Sequence, residues 1–409
     1  MTDTARSNAA PAEAPPHLPT ARSCPFSPPD AQTALRETEP VSQISYLDGA
    51  VGWLITRHSD VRRVLADHHN FSSSDQLMRF AMRPPQETDG EAPPPQPGMF
   101  IFKDPPDHGR LRKKLTGQFT VRRMRLLEAR VVEIVDEHLD AMQDRGAPAD
   151  LVEHFAKPIP SKVICELLGV PYEDHEFFQD AAAKIFQVDA PPEATEAAAT
   201  ALDEYLFDLT KRKRTAPVDD MISGLTADED LSDEEIAGMG MLLLLAGHDT
   251  TANMLGLGAF ALLRHPDQLR LLREDPALMD NAVEELLRYL AIAQFDVSNR
   301  TAVADVEVGG KLIKAGDPVT IAYAPANRDP ERFDDPERLD VTRKATGHIA
   351  FGHGIHQCLG QQLARVEMRV AFAALIRRFP NLALAVEPEA VPMRSEMSIY
   401  GVHELPVTW

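Results

Sequence analysis

The chain has 409 residues, enough for one large core or for two to three domains. Hydrophobic residues make up 44% of it, which is ordinary for a globular protein and excludes disorder along the whole chain. With 63 acidic and 42 basic residues the net charge is -21, which argues against nucleic acid or an anionic membrane as a general partner. Three widely spaced cysteines form neither a disulfide framework nor a zinc site, so we expect a cytoplasmic protein.

The N-terminal 25 residues are rich in alanine and proline and have no apolar run of the kind found in signal peptides. We expect residues 1 to 25 to be disordered. Residues 40 to 75 predict a small sheet, with a strand near residues 52 to 55, and a helix over residues 59 to 67. Residues 73 to 101 contain so many prolines and glycines that they predict a long loop, and such loops are usually functional or mobile.

Helical periodicity dominates from His108 to about Leu290, with a proline-containing break at residues 188 to 192. Farther along the chain, residues 306 to 324 predict a strand hairpin that turns at Gly309 and Gly310. An irregular segment then leads to a glycine-rich loop and a last helix.

A long apolar helix is predicted near the middle of the chain. Ser232 and Glu235 have the spacing of a capping box, and the helix that they start can run to about Arg264, a length of roughly 50 Å. Residues 239 to 263 are apolar enough to mimic a membrane span, but polar residues at their centre favour a buried helix beside a cofactor.

These polar residues are His248, Asp249 and Thr250, preceded by Gly247. Glycine weakens the helix locally, and the threonine hydroxyl can bond to a carbonyl of the preceding turn, so a groove can open there. A carboxylate beside a hydroxyl suits proton transfer in a dry site. The alternative is a polar notch in a core helix, with Asp249 paired elsewhere.

The most informative segment is the sequence FGHGIHQCLG, from Phe351 to Gly360. Gly352 and Gly354 permit backbone angles that are closed to other residues, and a helix follows the cysteine of this loop, Cys358. Unpaired N–H groups at a helix start stabilise a thiolate over a thiol. Such a thiolate suits axial ligation of a haem iron, whereas the alternative is a buried structural cysteine.

This loop, the AGHDTT segment, the Glu285-x-x-Arg288 pair and the HGRLR segment that begins at His108 resemble, in order and spacing, the motifs of the cytochromes P-450. The resemblance covers most of the chain and is strongest to bacterial members, particularly actinomycete enzymes of secondary metabolism and xenobiotic oxidation. It implies one mainly α-helical domain with small β-sheets over residues 26 to 409, a triangular prism around haem b.

The resemblance also implies the roles of individual residues. Cys358 is the expected iron ligand, and Asp249 with Thr250 is the expected acid–alcohol pair that supplies protons during oxygen activation. The residues expected to bind the haem propionates are His108, Arg112, Arg300 and His356, and those expected to border the rest of the haem are Phe351, Gly352, Gly360, Ala246 and Gly247. The alternative for the arginines is that they solvate helix ends.

Glu285 and Arg288 lie three residues apart on a predicted helix, which places both charges on one face. Such pairs are common on solvated helices, but the resemblance implies a buried ion network with Arg338 that supports the cysteine loop. Arg332 is the alternative third member, and the spacing to the cysteine favours Arg338.

The resemblance also places a substrate pocket, by position only. The residues expected to border it are Arg79, Phe80, Met82, Phe186, Leu243, Ile292, Gln294, Phe295 and Ile399. This largely apolar set predicts a hydrophobic small molecule such as a macrolide, steroid, terpenoid or xenobiotic. His248 is expected to meet the pocket or merely to fill space, and the loop between Leu77 and Phe100 to act as a lid.

The implied reaction is hydroxylation or epoxidation of this molecule with dioxygen and two electrons from NAD(P)H. Ferredoxin and ferredoxin reductase would deliver the electrons, because the chain has no flavin or nucleotide motif. The basic residues expected to dock an acidic ferredoxin are Arg62, Arg63, Lys113, Lys114, Arg365 and Arg369. We expect a monomer that binds neither nucleic acid nor membrane.

Two alternative functions remain at this point. The first is a haem-thiolate peroxygenase driven by hydrogen peroxide, against which the intact Asp249 and Thr250 argue. The second is a non-catalytic haem sensor, against which the lack of a fused output domain argues.

Overall fold

The described part of the chain, residues 14–83 and 96–409 of a computed structural model, is mainly α-helical, as predicted. Its helices are α1 (Asp30–Thr38), α2 (His58–Ala66), α3 (Asp107–Thr116), α4 (Val121–Arg145), α5 (Pro158–Leu168), α6 (His175–Phe186), α7 (Pro192–Thr215), α8 (Met221–Thr226), α9 (Asp233–Arg264), α10 (Pro266–Glu274), α11 (Met279–Leu290), α12 (Tyr323–Ala326) and α13 (Gln361–Arg378). The predicted break between two helices is confirmed, since α6 ends at Phe186 and α7 begins at Pro192.

Three small sheets accompany the helices in these residues. The strands are β1 (Val41–Ser45), β2 (Val51–Ile55), β3 (Phe71–Ser72), β4 (Ala149–Asp150), β5 (Arg300–Ala302), β6 (Val306–Val308), β7 (Lys311–Ile313), β8 (Pro318–Ile321), β9 (Ala383–Leu384) and β10 (Pro406–Thr408). The sheets have the orders β1-β2-β8-β5-β3, β4-β10-β9 and β6-β7. All strand pairs are antiparallel except β2 with β8, which is parallel.

The hairpin predicted at Gly309 and Gly310 is confirmed. Val308 pairs with Lys311 across the turn, and both glycines have positive φ angles, of 54° and 76°. Positive φ angles at both central residues are typical of type I′ turns, whose backbone twist matches that of the two paired strands. The rest of the predicted segment does not extend this hairpin, because β8 leaves it to pair with β2 and β5.

Helix α9 forms the centre of the molecule. Its capping box is present, with the Ser232 hydroxyl bound by the backbone N–H of Glu235, and it runs unbroken to Arg264 as predicted. It packs against α5, α7, α11 and α13, and most of its side chains are buried all around. Among the described residues, no helix combines the length and the apolar character needed to cross a membrane.

Of the segment predicted to be disordered, residues 1 to 13 lie outside the described residues, and residues 14 to 25 pack against the rest of the chain in the structure. Leu18 is buried in an apolar cluster with Ile44 and Phe295, and His17 forms a β-bridge with Ser45. The apolar contacts of Leu18 offset the loss of chain entropy that ordering this segment costs. Half of the predicted lid, residues 84 to 95 of 77 to 100, also lies outside the described residues.

Candidate active site

The cysteine loop has the local geometry predicted from its glycines. Gly352 and Gly354 have φ angles of 69° and 75°, and the backbone N–H of Cys358 donates to the Phe351 carbonyl at 2.8 Å. A β-carbon on Gly354 would lie 2.3 Å from the Leu65 carbonyl oxygen, so the loop also needs glycine to pass close to α2. Helix α13 then begins at Gln361, three residues after the cysteine.

Cys358 has an exposed side chain, although burial is the main influence on its pKa. The thiol is accessible, although protein atoms surround it on most sides. Burial raises its pKa, while the backbone N–H groups of Gly360 and Gln361 and the guanidinium of Arg112 lower it. The predicted thiolate-stabilising groups are therefore present, but burial outweighs them, and a cation at the sulfur would favour the thiolate. Burial also raises the pKa of the Cys165 thiol, to about 12.

An ion cluster that the sequence analysis missed holds this loop against α11. Glu284 binds Arg365 of α13 and accepts from His348 Nε2 at 3.0 Å. Although burial raises it, these two partners hold the pKa of Glu284 at about 2. The Arg365 guanidinium lies 4.6 Å from the ring centroid of Phe351, which fixes the ring at the start of the loop.

The predicted buried ion network exists, but its third member is different. Glu285 and Arg288 are completely buried and bonded at 2.7 and 2.8 Å. Arg343 Nε lies 3.1 Å from the same carboxylate. The prediction of Arg338 is wrong, because its side chain is exposed and only its carbonyl oxygen accepts from Arg288. Arg332, the alternative, donates to the Thr346 carbonyl instead.

Basic side chains gather beside the cysteine loop. The rings of His108 and His356 lie 4.2 Å apart, Arg112 donates to the Gln357 carbonyl, and Arg300 is buried. Burial and the charge of Arg112 lower the pKa of His108 to about 4, and burial and Arg300 lower that of His356 to about 2. His68, which the sequence analysis missed, lowers both pKa values further.

This cluster fits an anionic ligand. The Nε2 atoms of both His108 and His356 are buried with no hydrogen-bond partner in the described residues. The one carboxylate that influences His108 belongs to Asp104, which is already bound by the Ser72 hydroxyl and the Ser73 backbone N–H. Buried polar atoms are normally paired, so these nitrogens fit carboxylates such as those of a haem.

The centre of α9 combines an opening with a polar pair. Ala246 is exposed and Gly247 and Thr250 are partly exposed, whereas the other residues at the centre of the helix are buried. The Thr250 hydroxyl donates to the Ala246 carbonyl at 2.7 Å, as predicted. The helix is nevertheless unbroken there, and Gly247 serves packing, since a β-carbon would lie 2.8 Å from the Ile164 side chain of α5.

Asp249 is paired, as the alternative interpretation of this segment held. Arg394 Nη1 lies 3.1 Å from Asp249 Oδ1, and both side chains are buried. Asn253 donates to the Asp249 carbonyl at 2.8 Å, and Gly401 packs directly against Asn253. The segment that carries Arg394 therefore packs against α9 beside Asp249 and Thr250.

His248 lies on another face of α9, toward Phe178 of α6, with the two ring centroids 5.8 Å apart. Burial lowers the pKa of its imidazole ring, although the Leu244 carbonyl and the Asp249 carboxylate act in the opposite direction. These contacts are those of a core side chain.

Several residues predicted for the pocket meet at one place. Phe186, Ile292, Gln294 and Ile399 lie on segments joined by backbone bonds. Gln294 Nε2 donates to the Ser395 and Met397 carbonyls, and Gln294 Oε1 accepts from the Arg22 guanidinium. Both polar groups of its amide are therefore already hydrogen-bonded.

The other predicted pocket residues have separate surroundings. Leu243 is buried on α9, Phe295 is buried in the cluster with Leu18, and Met82 packs against that cluster. Phe80 lies under the Arg83 guanidinium. Arg79 is exposed and paired with Asp48, so its charge is already balanced.

Comparison with known proteins identifies the class. The chain matches the family model for cytochrome P-450 over residues 193–402. It is 44% identical to the vitamin D3 dihydroxylase of Streptomyces griseolus, over 96% of this chain and 97% of that protein. It is also 44% identical to pentalenic acid synthase of Streptomyces avermitilis, over 97% of this chain and 98% of that protein. The crystal structure of CYP105P1 in complex with filipin I superposes with a TM-score of 0.91 at 46% identity, covering 97% of this chain and 99% of that one.

The chain therefore belongs to the cytochrome P-450 family. It is an oxidoreductase, a monooxygenase that incorporates one atom of dioxygen. The family implies a haem with a cysteine thiolate ligand, redox partners and hydrophobic substrates. His356 lies two positions before Cys358 in the chain. Its unpaired imidazole nitrogen and that of His108 fit the carboxylates of that cofactor.

Proposed function

We propose that this monooxygenase holds haem b through Cys358 and hydroxylates or epoxidises a hydrophobic small molecule of secondary metabolism or a xenobiotic. The observation that carries the proposal is the anion site formed by His108, Arg112, Arg300 and His356 beside the cysteine loop. Two carboxylates would neutralise the guanidinium groups of Arg112 and Arg300 and supply the missing hydrogen-bond partners of both imidazole rings.

When bound, the haem supplies the activation of dioxygen for insertion into a C–H or C=C bond. The side chains of this chain then hold and move protons. The Thr250 hydroxyl donates to the Ala246 carbonyl and keeps its lone pairs free, so it can accept a hydrogen bond from a water. In this proposal Asp249 takes up a proton from solvent and passes it to Thr250 Oγ, returning to the carboxylate that Arg394 orients.

We further propose that the substrate lies among Phe80, Met82, Phe186, Leu243, Ile292, Gln294, Phe295 and Ile399. The names of the relatives mention vitamin D3, pentalenic acid and filipin I, which supports a terpenoid, steroid-like or macrolide substrate. The occupied amide of Gln294 leaves an apolar wall, which binds such molecules by excluding water.

A ferredoxin with its reductase is the proposed source of the two electrons from NAD(P)H. Part of the predicted basic cluster supports this, since Arg63 and Lys113 are exposed and have no ion-pair partner among the described residues. Arg365, Arg369 and Lys114 contribute less, because each is already paired with carboxylates. We propose that the enzyme acts as a cytoplasmic monomer.

Turnover assays test this proposal against the two alternatives. A panel of steroids, terpenoids and macrolides is incubated with the purified haem protein and either ferredoxin, its reductase and NADPH, or hydrogen peroxide alone. We expect products that carry one added oxygen in the first mixture and little product in the second. Efficient turnover with peroxide alone indicates a peroxygenase, and haem binding without product in either mixture indicates a sensor.

A further inference from the structure

The residue Arg22 connects the N-terminal segment to the proposed pocket wall. Its Nη2 donates to Gln294 Oε1 at 2.9 Å, its Nη1 donates to the Ser27 carbonyl, and its guanidinium lies 4.2 Å from the ring centroid of Tyr400. Arg22 thus contacts both the segment after α11 and the C-terminal segment, more than 270 residues away along the chain.

Its two partners belong to a junction of three segments, residues 186–188, 292–294 and 395–400. Within this junction Ser398 N donates to the Phe186 carbonyl at 3.0 Å and Val188 N to the Glu396 carbonyl at 3.2 Å. Tyr400 N donates to the Ile292 carbonyl at 2.8 Å. The junction therefore contains Phe186, Ile292, Gln294 and Ile399, four residues of the proposed pocket.

The same junction adjoins Asp249 and Thr250 of α9. Arg394 directly precedes it, and its backbone N–H donates to the Gly401 carbonyl at 3.0 Å. Gly401 in turn packs against Asn253, whose amide binds the Asp249 carbonyl. A displacement of residues 395–400 would therefore disturb both the pocket wall and the partner of Asp249.

The chemistry of the arginine suits this task. A planar guanidinium can donate to two acceptors at once while it stacks on an aromatic ring. Arg22 makes both kinds of contact: it donates to Gln294 and Ser27 and stacks on Tyr400, and no carboxylate among the described residues bonds to it.

We propose that Arg22 is a positioning residue that fixes the junction and thereby the shape of the substrate pocket. It does not touch the reacting atoms. The proposal rests on the proposed function, because it assumes that the junction borders the substrate.

Two azole ligands of different size test the proposal without knowledge of the substrate. Imidazole reaches the iron alone, whereas miconazole also fills the pocket above it, and both shift the Soret band on binding. The first variant, Arg22→Met, removes the guanidinium. The second, Arg22→Lys, keeps the positive charge and is the milder change should Arg22→Met fold poorly. Arg270→Met is the matched control, since Arg270 forms only an exposed pair with Glu274.

We expect Arg22→Met to bind miconazole about tenfold more weakly and imidazole unchanged. Arg22→Lys should lie between Arg22→Met and the wild type, and Arg270→Met should equal the wild type. Unchanged miconazole affinity in both Arg22 variants, or an equal loss for both azoles, would overturn the proposal. A wild-type protein with no Soret shift for either azole would instead contradict the proposed function.

Discussion

Asp249 and Arg394 form a buried ion pair between the middle of α9 and the C-terminal segment, with Arg394 Nη1 3.1 Å from Asp249 Oδ1. They are separated by 145 residues along the chain. The pair fixes the carboxylate of the residue that directly precedes Thr250 in the chain, and it makes Arg394 a part of the proposed proton-transfer site.

Replacing Arg394 should cost stability. Arg394→Met leaves the Asp249 carboxylate buried without a partner, so we expect the free energy of unfolding to fall by about 3–5 kcal/mol. The double variant Asp249→Asn with Arg394→Met removes that charge and should recover much of the loss in denaturant unfolding. A double variant as unstable as Arg394→Met would show that packing, not charge, sets the effect.

Thr250 should couple electron use to product formation. Thr250→Ala removes the hydroxyl proposed to move protons, so substrate should still bind and NADPH should still be consumed, while hydrogen peroxide release increases severalfold. Thr250→Ser keeps the hydroxyl and serves as the control. The ratio of product to NADPH consumed is the measurement, and an unchanged ratio in Thr250→Ala would remove Thr250 from proton transfer.

The two arginines of the segment after α12 should behave differently. Arg343 binds the buried Glu285 carboxylate, whereas the Arg338 side chain is exposed. Arg343→Met should therefore reduce the yield of haem-loaded protein, by weakening the support of the cysteine loop. Arg338→Met should leave the yield unchanged, and the haem absorbance per protein measures both. Equal yields from the two variants would contradict the observed network.

Glu367 makes stability depend on pH. The side chain is buried on α13, one of its oxygens has no partner, and burial raises its pKa to about 8. The folded state then keeps a proton that the unfolded state has lost above its ordinary pKa, so stability falls as pH rises between about 5 and 8, by about 1.4 kcal/mol per unit.

The variant Glu367→Gln isolates this effect, because the amide has nearly the same shape and does not ionise. We expect it to be more stable than the wild type at pH 7.5 and to show a flatter dependence of unfolding free energy between pH 6 and 7.5. Parallel pH profiles of the two proteins would mean that Glu367 does not titrate in this range.

The sequence predicted the features that local pattern determines. The capping box of α9, the bond from Thr250 to Ala246, the turn at Gly309 and the glycine-rich loop before Cys358 all depend on residues that are close in the chain. Their chemistry follows from spacing alone. The spacing of Glu285 and Arg288 predicted only that they share one helix face, and their burial was predicted from the family resemblance.

The partners that come from distant segments were missed. Arg394, His68 and Arg22 reach the site only through tertiary packing, and nothing in their local sequence distinguishes them from solvated side chains. The error at Arg338 has the same origin, since two arginines five positions apart differ only in how the irregular segment folds back toward α11. The N-terminal segment was predicted as disordered because its composition does not reveal the cluster around Leu18.

The spectrum of the reduced carbonyl complex tests the central claim most directly, because its red-shifted Soret band requires a thiolate on the iron. We predict this band for the wild type and for the control Cys24→Ser, and its loss in Cys358→Ser. An unchanged red-shifted band in Cys358→Ser, or its absence from the haem-loaded wild type, would contradict the assignment of Cys358 as the haem ligand.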